Sequence, residues 1–278
     1  MIMNENNGFE IRNLILFFVI AIGFSWIFWI PRIFYPPGSS PFIDFLYSPF
    51  NPAAWGPLIA ALLLTYLNKG PENIKDLLKR GIDLSFKKKW LIPIFLLFPV
   101  ITLIALVIAI IFEGFVPELI WATSPYILIF IFIYIFLLGG PLQEEYGWRG
   151  YALERLQVRY NAFTSSLIMG IAWVIWHLPL FFTPTSTLFY NRPIWGFVVS
   201  IMLISILMTW IYNNTKRSIL ACMIFHTTVD FAHVVLPAVE SDTGGVSYVT
   251  LLIIVVVIVL LIWGYKRLVK QSLEFKVD

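Results

Sequence analysis

Charge is scarce in this sequence. Asp, Glu, Lys and Arg together make up 13% of the 278 residues, while 59% are hydrophobic. A soluble domain carries about twice that charged share, so a water-soluble globular fold is excluded and a polytopic membrane protein is expected. Cysteine is almost absent: Cys222 stands alone, which rules out an internal disulfide. No basic stripe interleaved with exposed aromatics is found, so nucleic acid is not an expected partner. No cleavable leader is expected either. The opening MIMNENNGFEIR is polar and no small-residue cleavage site follows it, so the first apolar stretch reads as a retained span. An internal repeat of the kind that builds two-halved transporters is also lacking.

What the chain has in quantity is long apolar runs. A spanning helix needs about 20 such residues. Eight candidates fit, at 13–35, 51–67, 90–112, 122–143, 163–182, 194–213, 218–237 and 248–265. The second is short and rich in small residues, which leaves a re-entrant segment open beside a full span. The reading is an all-α, single membrane domain over 1–278, with about eight helices around a cytoplasm-facing cavity. Its motif-bearing core covers about 122–237.

Eight spans put both termini on one side. Of the 19 lysines and arginines, all but Arg32 and Arg192 then fall on that same side. Basic loops stay cytoplasmic, so the expectation is a multi-pass protein of the cell membrane with both termini in the cytoplasm. Tryptophans mark the two interfaces: Trp90, Trp210 and Trp263 on the inner side, and Trp29, Trp121 and Trp195 on the outer. The segment PENIKDLLKRG reads as a short helix on the inner leaflet. Ile74, Leu77 and Leu78 share one face of it, Pro71 opens it, Gly81 stops it, and its lysines lie near lipid headgroups.

Ionisable residues within spans cost on the order of 3 kcal/mol each at the helix centre and mark function. Here they are Glu144, Glu145, Arg149, His177, His226, Asp230 and His233. Depth follows from spacing. Glu144 lies sixteen residues before Tyr160 and His177 seventeen after it, so across a helical hairpin both stand about 25 Å from the turn. His226 lies roughly 16 Å beyond the turn at Asn214–Lys216, at a similar depth. Within each helix the pairs Glu145–Arg149, Trp173–His177 and His226–Asp230 are i, i+4 neighbours on one face. Gly139, Gly140 and Pro141 permit a kink before the two glutamates, and Pro179 weakens the helix beside His177. Bent helices with free backbone groups suit a water-filled cavity. Against each of these stands a plainer account. The glutamates can be a helix end, His177 a packed histidine, and His226–Asp230 a clasp between helices. His233, toward the outer side, reads as structural or as part of an outer cavity, and Trp173 and Trp176 as packing.

The three clusters together resemble a known family. Glu144-Glu145-Tyr-Gly-Trp-Arg149 looks like the EExxxR motif of the CAAX prenyl protease and bacteriocin-processing (CPBP, Abi-type) intramembrane proteases. Trp173-Val-Ile-Trp-His177 is similar to their FxxxH motif, with Trp173 in place of the usual phenylalanine. His226-Thr-Thr-Val-Asp230 is similar to their HxxxN/D motif, with Asp230 where eukaryotic-type prenyl proteases have asparagine.

The resemblance implies an intramembrane endopeptidase of glutamate type acting on a hydrophobic or lipid-anchored peptide or protein, amid membrane lipids. Glu144 is expected to be the general base and His177 to orient the water. His226, helped by Asp230, is expected to stabilise the oxyanion. Glu145, Arg149 and Trp173 are expected to support them. No cofactor is required by this reading. A zinc version remains open, because Glu144, His177 and His226 form the His₂Glu ligand set of a catalytic site. Two readings of another class stand beside it: a non-enzymatic bacteriocin-immunity protein and a proton-coupled transporter.

Overall fold

The computed structural model describes residues 5–186, 188–190 and 193–270. Arg192 and Lys276, which entered the charge asymmetry, lie outside the described residues. Among the described residues nine helices organise the fold: α1 (Glu5–Trp29), α2 (Gly56–Lys69), α3 (Pro71–Lys79), α4 (Leu91–Glu113), α5 (Ile127–Arg159), α6 (Ala162–His177), α7 (Ile194–Asn214), α8 (Ile219–Val235) and α9 (Asp242–Trp263). Among the described residues no strand occurs. Among the described residues six segments are long and apolar enough to cross a membrane, and the other two of the eight expected stretches, Pro52–Asn68 and Ile219–Val235, are shorter apolar helices. The protein is an all-helical, multi-pass membrane protein. Its outward faces carry side chains such as Ile111 and Leu261, 66% and 80% exposed, which suit lipid and not water.

Helix ends follow local chemistry. Asn161, Ser218 and Ser241 each accept a hydrogen bond from the third residue beyond, capping α6, α8 and α9. Pro71 opens α3 as its first residue. Several bounds differ from those expected. α1 ends at Trp29 because Pro31 starts a separate turn. The fourth span begins at Ile127, not at 122, and runs on to Arg159. α9 starts six residues earlier than the apolar run, where Ser241 caps it.

The short helix α3 is tied to the rest of the protein. Leu77 is buried while Leu78 is 41% exposed. Gly81 does more than end the helix: a Cβ there would fall on the Tyr146 hydroxyl, whose O–H donates to the Leu78 carbonyl at 3.1 Å. Trp90, Trp210 and Trp263 lie at one level as expected, and they pack on one another with centroids 5.1 to 6.5 Å apart. Trp29 is enclosed by protein. It is 3% exposed, 4.5 Å from the Trp176 ring and stacked against His177.

Candidate active site

α5 is not a regular helix. Wider π-turns at Ile135–Gly139 and Trp148–Leu153 bracket a short α-helical stretch, Pro141–Gly147, that carries both glutamates. Such turns recur at functional sites because they re-aim side chains without ending the helix. The break itself falls on Gly140, at φ 139°, a conformation only glycine adopts without strain. A Cβ there would also stand 2.3 Å from Glu144 Oε1. The kink expected from Gly-Gly-Pro is therefore present, and the glycine makes room for the carboxylate.

The two glutamates enter different networks. Glu144 Oε2 accepts the indole N–H of Trp148 at 3.2 Å and that of Trp173 at 3.0 Å. Glu145 Oε1 accepts from Arg149 Nη1 at 2.7 Å and from His226 Nδ1 at 2.9 Å. All six side chains are buried. The Arg149 guanidinium also lies 5.0 Å from the centre of the Trp173 ring, a cation–π contact.

Each histidine has its orientation set by a fixed partner. His177 Nδ1 lies 2.8 Å from the Trp173 carbonyl. A carbonyl only accepts, so Nδ1 carries the hydrogen and Nε2 keeps its lone pair. The ring is ringed by aromatics, Trp29, Trp176, Phe189 and Phe197 among them, with centroids 4.6 to 6.0 Å away. Pro179 ends α6 at His177, and a 3₁₀ turn, Leu178–Phe182, follows. His226 gives Nδ1 to Glu145, and its Nε2 stands 3.6 Å from Asp230 Oδ2. Its ring meets the Trp173 ring edge-on at 5.0 Å.

Trp173 thus joins the three motifs: its N–H to Glu144, its carbonyl to His177, its ring to His226 and Arg149. Trp173 is expected from the sequence either to pack or to support the site, and Trp148 has no expected role. Both carried a signal, since Trp148 is four residues after Glu144 and Trp173 four before His177. Trp176 does pack, and its indole N–H also donates to the Ser25 hydroxyl at 2.6 Å, which itself donates to the Ala53 carbonyl. His233 takes the structural place expected for it, bonded to the Val229 carbonyl and set against Tyr248.

A zinc ion on Glu144, His177 and His226 does not fit this arrangement. Among the described residues no three His, Cys, Asp or Glu side chains gather as a ligand group.

Comparison with known proteins converges on the same segments. The family model for type II CAAX prenyl endopeptidases, Rce1-like, matches residues 125–232, from α5 through α8. CAAX prenyl protease 2 of Methanococcus maripaludis is 32% identical over 199 residues, covering 69% of this chain and 73% of that protein.

Proposed function

Since the chain belongs to the CAAX prenyl protease family and is on that ground an intramembrane endopeptidase, we propose that it cleaves a prenylated or similarly lipid-anchored peptide by a water activated between Glu144 and His177. The observation that carries the reading is the linkage of all three motifs through Trp173.

Water is the nucleophile. Its oxygen attacks the scissile carbonyl carbon while one proton passes to Glu144. The two indoles converge on Oε2, so Oε1, on the Gly140 side, is the oxygen that takes the proton. His177 offers its Nε2 lone pair to the other water hydrogen and fixes the angle of attack. The oxyanion that forms is met by N–H from His226 Nε2, a role supported by carboxylates at both ring nitrogens. Glu144 then returns the proton to the departing amide nitrogen. The C–N bond breaks, leaving a carboxylic acid and an amine, and the acid's proton then passes to the amine to give a carboxylate and an ammonium. Glu145 and Arg149 hold His226 and the helix and touch no reacting atom.

The test uses purified protein in proteoliposomes with a farnesylated CAAX peptide and its unprenylated twin. Cleavage of the farnesylated peptide is expected, with loss in Glu144→Gln and His177→Ala at unchanged thermal unfolding. Retained cleavage in Glu144→Gln would falsify the assignment of the base. Equal cleavage of the two peptides would overturn the lipid-anchored substrate. The immunity reading separates in cells, where it requires a Glu144→Gln variant to keep protecting.

A further inference from the structure

A second cavity, of about 640 Å³, opens on the face that carries most of the basic residues. It lies between the first turns of α1, the end of α5 and the end of α7, and it is independent of the peptidase site. Glu154, on its wall, is ten residues beyond Glu144 along α5, which is about 15 Å of helix.

The walls are of two kinds. Ile11, Leu14, Leu156 and Val158 form an apolar side, and Arg155, Arg159 and Arg217 a cationic one. Val158 is 85% exposed, so this apolar surface continues outward to where lipid would lie. Among the described lining residues the acid is Glu154, and it is already balanced. Glu154 accepts from Arg80 Nη1 at 3.1 Å and from the Tyr212 hydroxyl at 2.9 Å. Arg217 stands farther from it, at 3.8 Å, and its side chain is 68% exposed. Arg159 and Arg217 therefore stand as cations beside a carboxylate that Arg80 already holds.

The backbone under Arg217 is held in place for this. Lys216 and Arg217 both have left-handed backbone angles, φ 56° and 62°, which L-residues adopt only when the surroundings enforce it. The Arg217 N–H donates to the Tyr212 carbonyl at 3.0 Å, and Arg80 Nη2 donates to the Arg217 carbonyl at 3.2 Å. Arg155 is set just as firmly: it lies 3.5 Å over the Tyr151 ring and donates to the Tyr151 carbonyl.

We propose that this cavity binds the headgroup of an anionic phospholipid. Its phosphate would lie against Arg159 and Arg217, and its glycerol and first acyl carbons against Ile11, Leu14 and Val158. Guanidinium groups match phosphate oxygens in pairs, and basic recesses between membrane helices are where anionic headgroups settle. The apolar wall favours a lipid over a soluble phosphate, which would gain nothing from it.

The experiment places the full chain in nanodiscs of equimolar phosphatidylcholine and phosphatidylglycerol and measures retained lipid by native mass spectrometry. Wild type is expected to keep phosphatidylglycerol selectively. Arg159→Gln with Arg217→Gln is expected to keep roughly tenfold less, the scale of two cations at a membrane surface. Lys88→Gln with Lys89→Gln removes two exposed charges outside the cavity and is expected to match wild type. Each arginine is also changed singly, so that misfolding of the double variant leaves a measurement standing. Unchanged retention in the arginine variants overturns the proposal, as does an equal fall in the lysine variant. Displacement of the lipid by millimolar inorganic phosphate overturns it in favour of a soluble-anion site.

Discussion

Glu144 and Glu145 are neighbours in the chain yet about 100° apart around the helix, and that angle gives them different work. One carboxylate is held by two indoles, the other by a guanidinium and an imidazole. A hydrogen bond to a charged group contributes about 1.5–3 kcal/mol. Trp148→Phe and Trp173→Phe each delete one indole donor while keeping an aromatic ring, so each is expected to lower kcat/KM by roughly tenfold or more. Glu144→Gln should abolish turnover instead. If both tryptophan variants cleave at the wild-type rate, the indoles do not tune the base. Glu145→Gln has a different expected outcome. It leaves the buried Arg149 without its counter-charge, and breaking such a pair costs about 3–5 kcal/mol, so a large fall in unfolding temperature is expected in detergent. The i, i+4 pairing of Glu145 with Arg149 was legible in the sequence. The hold of Glu145 on His226 was not, because 81 residues separate them.

At the scale of the element, α5 carries the site through its irregularities. Gly-Gly-Pro announces the first of them, and Gly140 at φ 139° is where it occurs. Gly140→Ala is expected to displace the Glu144 carboxylate and remove activity, with strain from the backbone as well. Gly147 has a different duty. A Cβ there would stand 2.5 Å from the Pro57 carbonyl oxygen, so Gly147→Ala should push α2 from α5 and cost about 1–3 kcal/mol. Gly196→Ala meets nothing within 4 Å and serves as the neutral control. Activity and thermal unfolding measured together on the three variants distinguish these outcomes. The π-turn at Trp148–Leu153 left no mark in the sequence, since no proline or glycine pair announces it. It depends on the packing around it.

The whole molecule is where orientation is decided. Basic residues concentrate at one end of the helices, and the expectation is that this end faces the cytoplasm. Cys222 is fully buried and alone, so the native protein offers a silent background for cysteine mapping. In intact cells an impermeant maleimide is expected to label Thr123→Cys and to miss Ser85→Cys until the membrane is permeabilised. The reverse pattern would invert the topology. Wild-type protein should react only after denaturation, which makes Cys222 a reporter of unfolding.

The bilayer explains the division between what could be read and what could not. Length and hydropathy of each span are local demands of the hydrocarbon core, so the sequence by itself determined an all-helical, multi-pass protein. Which of its polar groups meet depends on how each helix is rotated against segments far along the chain. Only the tertiary structure turned Trp173 toward Glu144, across 29 residues, and His226 toward Glu145. Spacing along one helix sets height and face, whereas contact between helices is set by packing.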